Sequence, residues 1–220
     1  VHRDVKPGNI MICTNKAGIE FVKIVDFGIA KHHIQKNREQ ITPTGNVLGS
    51  PAYIAPEQCA GAEADPRSDI YSLGCVMYEA LTGQPPFFHE NPIKVLMMQL
   101  SEPAPPFHLI CPDLEVPQEL EAVIMRCLEK DPSARYQTAE EVGLDLWTFA
   151  TTGQRASRDS VQGQGLRQSS LYEFAQGALS DQQQPRPVQK QLLIRFKRFK
   201  GATEMDIVWA GLLLARTSQR

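Results

Sequence analysis

Four side chains near the start of the chain, Asp4, Lys6, Asn9 and Asp26, are of the types needed to move a strongly anionic group onto a hydroxyl. A phosphoryl transfer of that kind asks for little covalent participation by a protein. It needs a carboxylate to orient the attacking hydroxyl, hard oxygen donors for a divalent cation, and a cation on the charged group. Taken singly, each residue reads as a loop Asp, Asn or Lys at a turn. Taken together within the first 26 residues, they supply every part.

The elements that must position them follow from pattern. Residues 10–13 and 21–25 are short apolar runs separated by Thr14-Asn15-Lys16-Ala17-Gly18, which predicts two strands and a turn. Asn9 and Asp26 then flank a small hairpin. Residues 29–52 are polar, rich in Thr, Asn and Gly and without periodicity, so a long functional loop is expected. Residues 69–81 (DIYSLGCVMYEAL) are apolar almost all round, as in a helix buried at the centre of a domain. Gly83 stops that helix and Pro85-Pro86 prevents its restart. Further helices are expected over residues 92–100 and 118–129. A fourth begins at Thr138, where Thr138-Ala139-Glu140-Glu141 forms a capping box. The fold class is therefore mostly α with a small β hairpin.

The motifs sharpen this. Residues 1–12 (VHRDVKPGNIMI) and 23–28 (KIVDFG) resemble the catalytic and metal-binding loops of eukaryotic-like (Hanks-type) serine/threonine protein kinases, most closely the bacterial branch. Residues 49–57 (GSPAYIAPE) resemble the close of the family's activation loop, and residues 65–74 the start of its central helix. The resemblance covers residues 1–150 and implies the α+β C-terminal lobe of the catalytic domain. It implies that Asp4 orients or accepts the proton of a substrate Ser/Thr hydroxyl and that Lys6 lies on the γ-phosphate of ATP. Asn9 and Asp26 would ligate Mg²⁺, with Mn²⁺ as the alternative ion. Ser50 would position the acceptor peptide. Asp69 would brace the catalytic loop, Arg135 would be the buried partner of Glu57, His2 and Phe27 would pack in an internal spine, and Gly28 would turn the chain after the metal ligand. Arg3, beside the catalytic Asp, implies a phosphorylated activation loop, with Thr42 and Thr44 as the acceptors and a second copy as the autophosphorylation partner.

The same 220 residues contain no G-x-G-x-x-G loop, no V-A-I-K lysine and no helix C glutamate. The chain also opens in mid-motif. It is expected to be a piece of a longer kinase that lacks the N-terminal lobe and is inactive alone. The alternative reading is a catalytically incompetent fragment or pseudokinase that binds proteins, against which the intact Asp4, Lys6, Asn9 and Asp26 argue.

Charge divides the molecule. Residues 1–146 carry 12 Lys/Arg and 20 Asp/Glu, whereas residues 147–220 carry 11 and 5. An acidic body thus bears a basic tail, the two with different partners, and no nucleic-acid partner is expected. Residues 151–191, rich in Gln, Ser, Gly, Arg and Pro, read as a flexible linker. Residues 192–220 read as a basic and apolar tail, in which LLIRFKRFK suggests contact with an anionic membrane surface. Five unpatterned cysteines, no signal peptide and no apolar run near the ~20 residues of a membrane span imply a cytoplasmic kinase domain, with any membrane attachment left to the parent protein.

Overall fold

The computed structural model describes residues 1–14, 16, 20–26, 50–114, 116–152 and 186–187. A short 3₁₀ turn, Pro7–Asn9, leads into β1 (Ile10–Thr14), which pairs antiparallel with β2 (Glu20–Ile24) in the register Ile10↔Ile24 and Ile12↔Val22. Both strands match the two apolar runs to within a residue. Ile10, Cys13 and Ile24 are buried, so the hairpin lies against the helical body with its Asn9 and Asp26 ends at the same edge.

A second 3₁₀ turn (Pro51–Tyr53) precedes the one-turn helix α1 (Pro56–Cys59). The centre of the fold is α2 (Pro66–Thr82), in which eleven consecutive residues, Ser68 through Tyr78, are buried. A helix buried on every side must be covered by several elements. α5 (Gln118–Cys127) packs on one side of it, and the Pro51–Tyr53 turn on another. Asp65 starts α2 by accepting from the Arg67 N–H, and Ser68 Oγ accepts from the Asp65 N–H at 3.3 Å while donating to Glu57 Oε1 at 2.7 Å. Gly83 ends it in the left-handed conformation (φ 82°), its N–H donating to Glu79 O. A side chain there would be strained, which is why the glycine stop was legible.

α3 (Pro92–Ser101) is started by Asn91, whose Oδ1 accepts from the Ile93 N–H. The single turn α4 (Phe107–Ile110) sets Phe107 against Tyr78, ring centroids 4.8 Å apart. α6 (Ala139–Thr152) packs on α5 and brings Val142 and Leu146 into the core. Its capping differs from the expected box. Thr138 Oγ1 does accept from the Glu141 N–H (3.2 Å), but the Glu141 carboxylate accepts from the Gln137 N–H instead of that of Thr138. Glu141 thereby caps one residue further out.

The described residues are thus mainly helical with one small sheet. Arg186–Pro187 forms β3, paired antiparallel with β1 (Met11↔Pro187), so the sheet order is β2-β1-β3. A proline at such a place sits on an edge strand, where no ladder donor is required. The expectations for the rest of residues 153–220, the linker and the basic tail, lie outside the described residues, as do residues 27–49. Among the described residues no helix is long and apolar enough to cross a membrane. All five cysteines are free thiols, and burial pushes those of Cys13, Cys59 and Cys75 upward, Cys59 to about 11.

Candidate active site

The site is built on α2. Asp69, buried in its first turn, accepts from two consecutive backbone N–H groups: His2 N to Oδ2 at 2.6 Å and Arg3 N to Oδ1 at 2.7 Å. Burial raises the Asp69 pKa, and the two N–H donors oppose that by favouring its charged form. The His2 ring is buried as well. Its Nε2 lies 3.1 Å from Val25 O, and its Nδ1 accepts from the Asp4 N–H at 3.3 Å. Those partners suit a neutral ring protonated at Nε2. Burial lowers its pKa, outweighing the nearby Asp69 carboxylate. His2 therefore links the loop that bears Asp4 to the strand end that carries Asp26.

On that floor the polar side chains converge. Lys6 Nζ lies 2.9 Å from Asp4 Oδ2, and Asn9 Nδ2 donates to the same oxygen at 2.9 Å and to Asp4 O at 2.8 Å. The Lys6–Asp4 pair is only partly exposed, at 25% and 15% of the side chains. Because the Asn9 amide nitrogen is committed to Asp4, its Oδ1 faces away from that carboxylate. The Val25 N–H donates to Asn9 O at 2.8 Å, which sets Asp26 alongside Asn9. Asp26 is exposed and left-handed (φ 57°), and Arg3 is left-handed too (φ 68°). Such backbone costs roughly 1–3 kcal/mol for a residue with a side chain and concentrates at functional sites. An amide oxygen and an exposed carboxylate are the hard donors that suit Mg²⁺, which often takes few protein ligands beside substrate phosphates.

Arg3 Nη2 is 3.9 Å from Glu63 Oε1, a loose pair with a side chain that is 87% exposed. Glu57 and Arg135 form a bidentate pair, Nη1 to Oε1 at 2.9 Å and Nη2 to Oε2 at 2.8 Å. Ser50 precedes the Pro51–Tyr53 turn and is half-buried. Phe27, Gly28, Thr42 and Thr44 lie outside the described residues.

The sequence assigns no role to several residues around this site, although Tyr53, Tyr71 and Ser72 lie inside its motif segments. Tyr53 donates from its hydroxyl to Glu79, and Ser72 Oγ donates to Tyr53 O at 2.7 Å. Gln99 donates to Pro51 O and Ala52 O, and Lys130 Nζ donates to Tyr71 Oη. Burial lowers the Lys130 pKa to about 8. In the sequence Gln99 shows only as a polar residue in a mostly apolar run, and its partners cannot be read from it.

Comparison with known proteins places this chain in a family. The family model described as the protein kinase domain matches residues 1–147. Over 147 residues the chain is 46% identical to the serine/threonine-protein kinase PknB of Mycolicibacterium smegmatis and 45% identical to PknB of Mycobacterium tuberculosis, covering 66% of this chain and 22% of each relative. A probable serine/threonine-protein kinase of Corynebacterium efficiens is 43% identical over 166 residues, 74% of this chain and 24% of the relative. The chain spans about a quarter or less of the length of these curated relatives. With two thirds of its residues matched by that model, the chain belongs to the protein kinase domain family, on the side of the bacterial Hanks-type enzymes.

Proposed function

We propose that this chain is the C-terminal lobe of a serine/threonine protein kinase, which transfers the γ-phosphate of ATP to Ser/Thr hydroxyls of proteins. The observation that carries the reading is the shared Asp4 oxygen, met at 2.9 Å by both Lys6 and Asn9 over a loop pinned by Asp69. Asp4 orients the substrate hydroxyl, whose oxygen bonds to phosphorus as the bond to the ADP oxygen breaks. The hydroxyl proton passes to the Asp4 carboxylate. Lys6, held within reach of Asp4, offsets charge on the phosphoryl oxygens. Asn9 and Asp26 would hold Mg²⁺, which when bound neutralises charge on the phosphates. The half-buried Asp4–Lys6 environment strengthens these interactions relative to water. The names of the relatives support Ser/Thr as the acceptor class. Phosphorylation of Thr42 and Thr44, answered by Arg3, is part of the same proposal, since the loose Arg3–Glu63 contact is one a phosphate would outcompete.

The test is labelled phosphate transfer from ATP–Mg²⁺ to a generic protein substrate by the full-length protein that contains this chain. Asp4→Asn is expected to lower turnover by roughly 10²–10⁴-fold with ATP binding retained. Mass spectrometry of the active protein is expected to find phosphate on Thr42 and Thr44. A folded protein that binds ATP but transfers nothing would favour a protein-binding role, and wild-type turnover in Asp4→Asn would remove Asp4 from the mechanism.

A further inference from the structure

The turn that follows Ser50 is held from beneath by α3. Val95 and Gln99, one helical turn apart, are the buried residues of that helix, and Gln99 is fully buried. Its Nε2 donates to Ala52 O at 2.9 Å and to Pro51 O at 3.2 Å, while its Oε1 accepts from the Tyr71 hydroxyl. Lys130 Nζ closes the network, donating to Tyr71 Oη at 2.9 Å and to the backbone oxygen of Gln99 at 2.8 Å. Both ends of the amide are thus engaged, so its orientation is fixed; removing its donors would take the side-chain partner from Ala52 O and leave Pro51 O with only the longer bond from the Ile54 N–H (3.4 Å). Ser72 Oγ takes the third carbonyl of the turn, Tyr53 O. The turn therefore commits its carbonyls at 51, 52 and 53 to α2 and α3.

We infer that Gln99 is a positioning residue for the acceptor protein: through Pro51 and Ala52 it sets the turn against which the substrate chain lies, and so the placement of its hydroxyl relative to Asp4. This rests on the kinase reading above. Gln99 would touch neither ATP nor the reacting atoms. Its loss should weaken the use of peptide and leave the use of nucleotide alone.

The experiment compares Gln99→Met, Gln99→His and Val95→Ala in the full-length protein, with a Ser-containing peptide and ATP varied in turn. Methionine keeps the length without a donor, and histidine retains one N–H donor and one acceptor. Val95→Ala trims the neighbouring inward residue of the same helix and controls for simple loss of stability. For Gln99→Met the peptide KM is expected to rise about tenfold, the scale of one net hydrogen bond, with the ATP KM within about twofold of wild type. Gln99→His should recover part of the rise, and Val95→Ala should lower the melting temperature without moving the peptide KM. An unchanged peptide KM in Gln99→Met, or an equal rise in Val95→Ala, would overturn the inference. A folded wild-type protein that binds ATP but transfers nothing would instead sink the kinase reading, and this inference with it.

Discussion

Replacing Arg135 by Met should cost the domain more than almost any other single change, and the structure sets the scale. Arg135 is 1% exposed and uses all five N–H donors. Two go to Glu57, and the others go to Glu129 O at 2.7 Å, Arg67 O at 3.0 Å and Lys130 O at 3.0 Å. One guanidinium therefore ties α1, the first turn of α2 and the loop after α5. Removing one partner of a buried ion pair costs about 3–5 kcal/mol, since the other charge is left behind in poor solvent. Each stranded carbonyl adds to that, about 1–3 kcal/mol where water cannot enter. Taking the pair alone, and about 2–4 °C per kcal/mol for a domain of this size, the melting temperature of Arg135→Met should fall by roughly 6–20 °C. Arg135→Lys should fall too, because three donors on one nitrogen cannot reproduce a planar fork with five. The assay is thermal and urea unfolding of wild type, Arg135→Met, Glu57→Gln and the double variant. Because the double variant buries no unpaired charge, it should be less damaged than the sum of the singles, by more than about 1 kcal/mol. A shift of under 2 °C in Arg135→Met, or a cycle that is additive within error, would refute this account of the pair.

Two further outcomes follow from packing and charge. At Gly74 an added Cβ would lie 2.8 Å from Cys127 Cβ and 3.1 Å from Leu128 Cγ, so α2 and α5 would have to separate. Overpacking costs about 1–3 kcal/mol and outweighs the ~1 kcal/mol that alanine gains in a helix, so Gly74→Ala should lower the urea midpoint, and a raised midpoint would contradict it. For Glu57, burial acts to raise the pKa, but hydrogen bonds from Arg135 and Ser68 and the charge of Arg135 prevail and hold it below the ordinary value of 4.5. A carboxylate depressed in the folded state contributes stability that is complete above its unfolded pKa and lost as pH falls through the folded one. The stability gap between wild type and Glu57→Gln should therefore be constant from pH 7 to about 5 and narrow below about 4.5. Asp69, raised by burial, acts in the opposite sense in both proteins and drops out of the difference. A gap that persists unchanged at pH 3 would mean that Glu57 is not the titrating group.

What could be read from the sequence was what repeats locally or recurs by motif. The central helix was legible because residues 69–81 are apolar on every face and Gly83 closes them, and α2 is buried over eleven residues in succession. The strands were legible because two apolar runs flank a turn. The one-turn helices α1 and α4 were not, since four residues carry no period and depend on Pro56 and on Phe107 meeting Tyr78. Nor was β3, whose Arg-Pro pair has neither strand propensity nor alternation. At the site, the types of Asp4, Lys6 and Asn9 announced themselves, and the structure adds that they share one oxygen. Gln99 could not announce itself, because a buried amide is defined by carbonyls nearly fifty residues away.

The long-range tie that matters most to the site runs from α2 to the loop that bears Asp4. Arg3 and Asp26 both adopt left-handed backbone, one immediately before Asp4 and the other at the far end of the hairpin from it. Conformations of that kind persist only where the surroundings over-determine them. Here Asp69 fixes the first by taking the N–H groups of both His2 and Arg3, and the His2 ring fixes the neighbourhood of the second by meeting Val25 O. The hairpin is a small two-stranded piece that would be marginal alone. The end that carries Asn9 and Asp26 is placed because a carboxylate in the buried first turn of the central helix holds the adjoining loop from below. The stability of the helical core and the placement of Asp4, Asn9 and Asp26 are therefore one problem, met at Asp69.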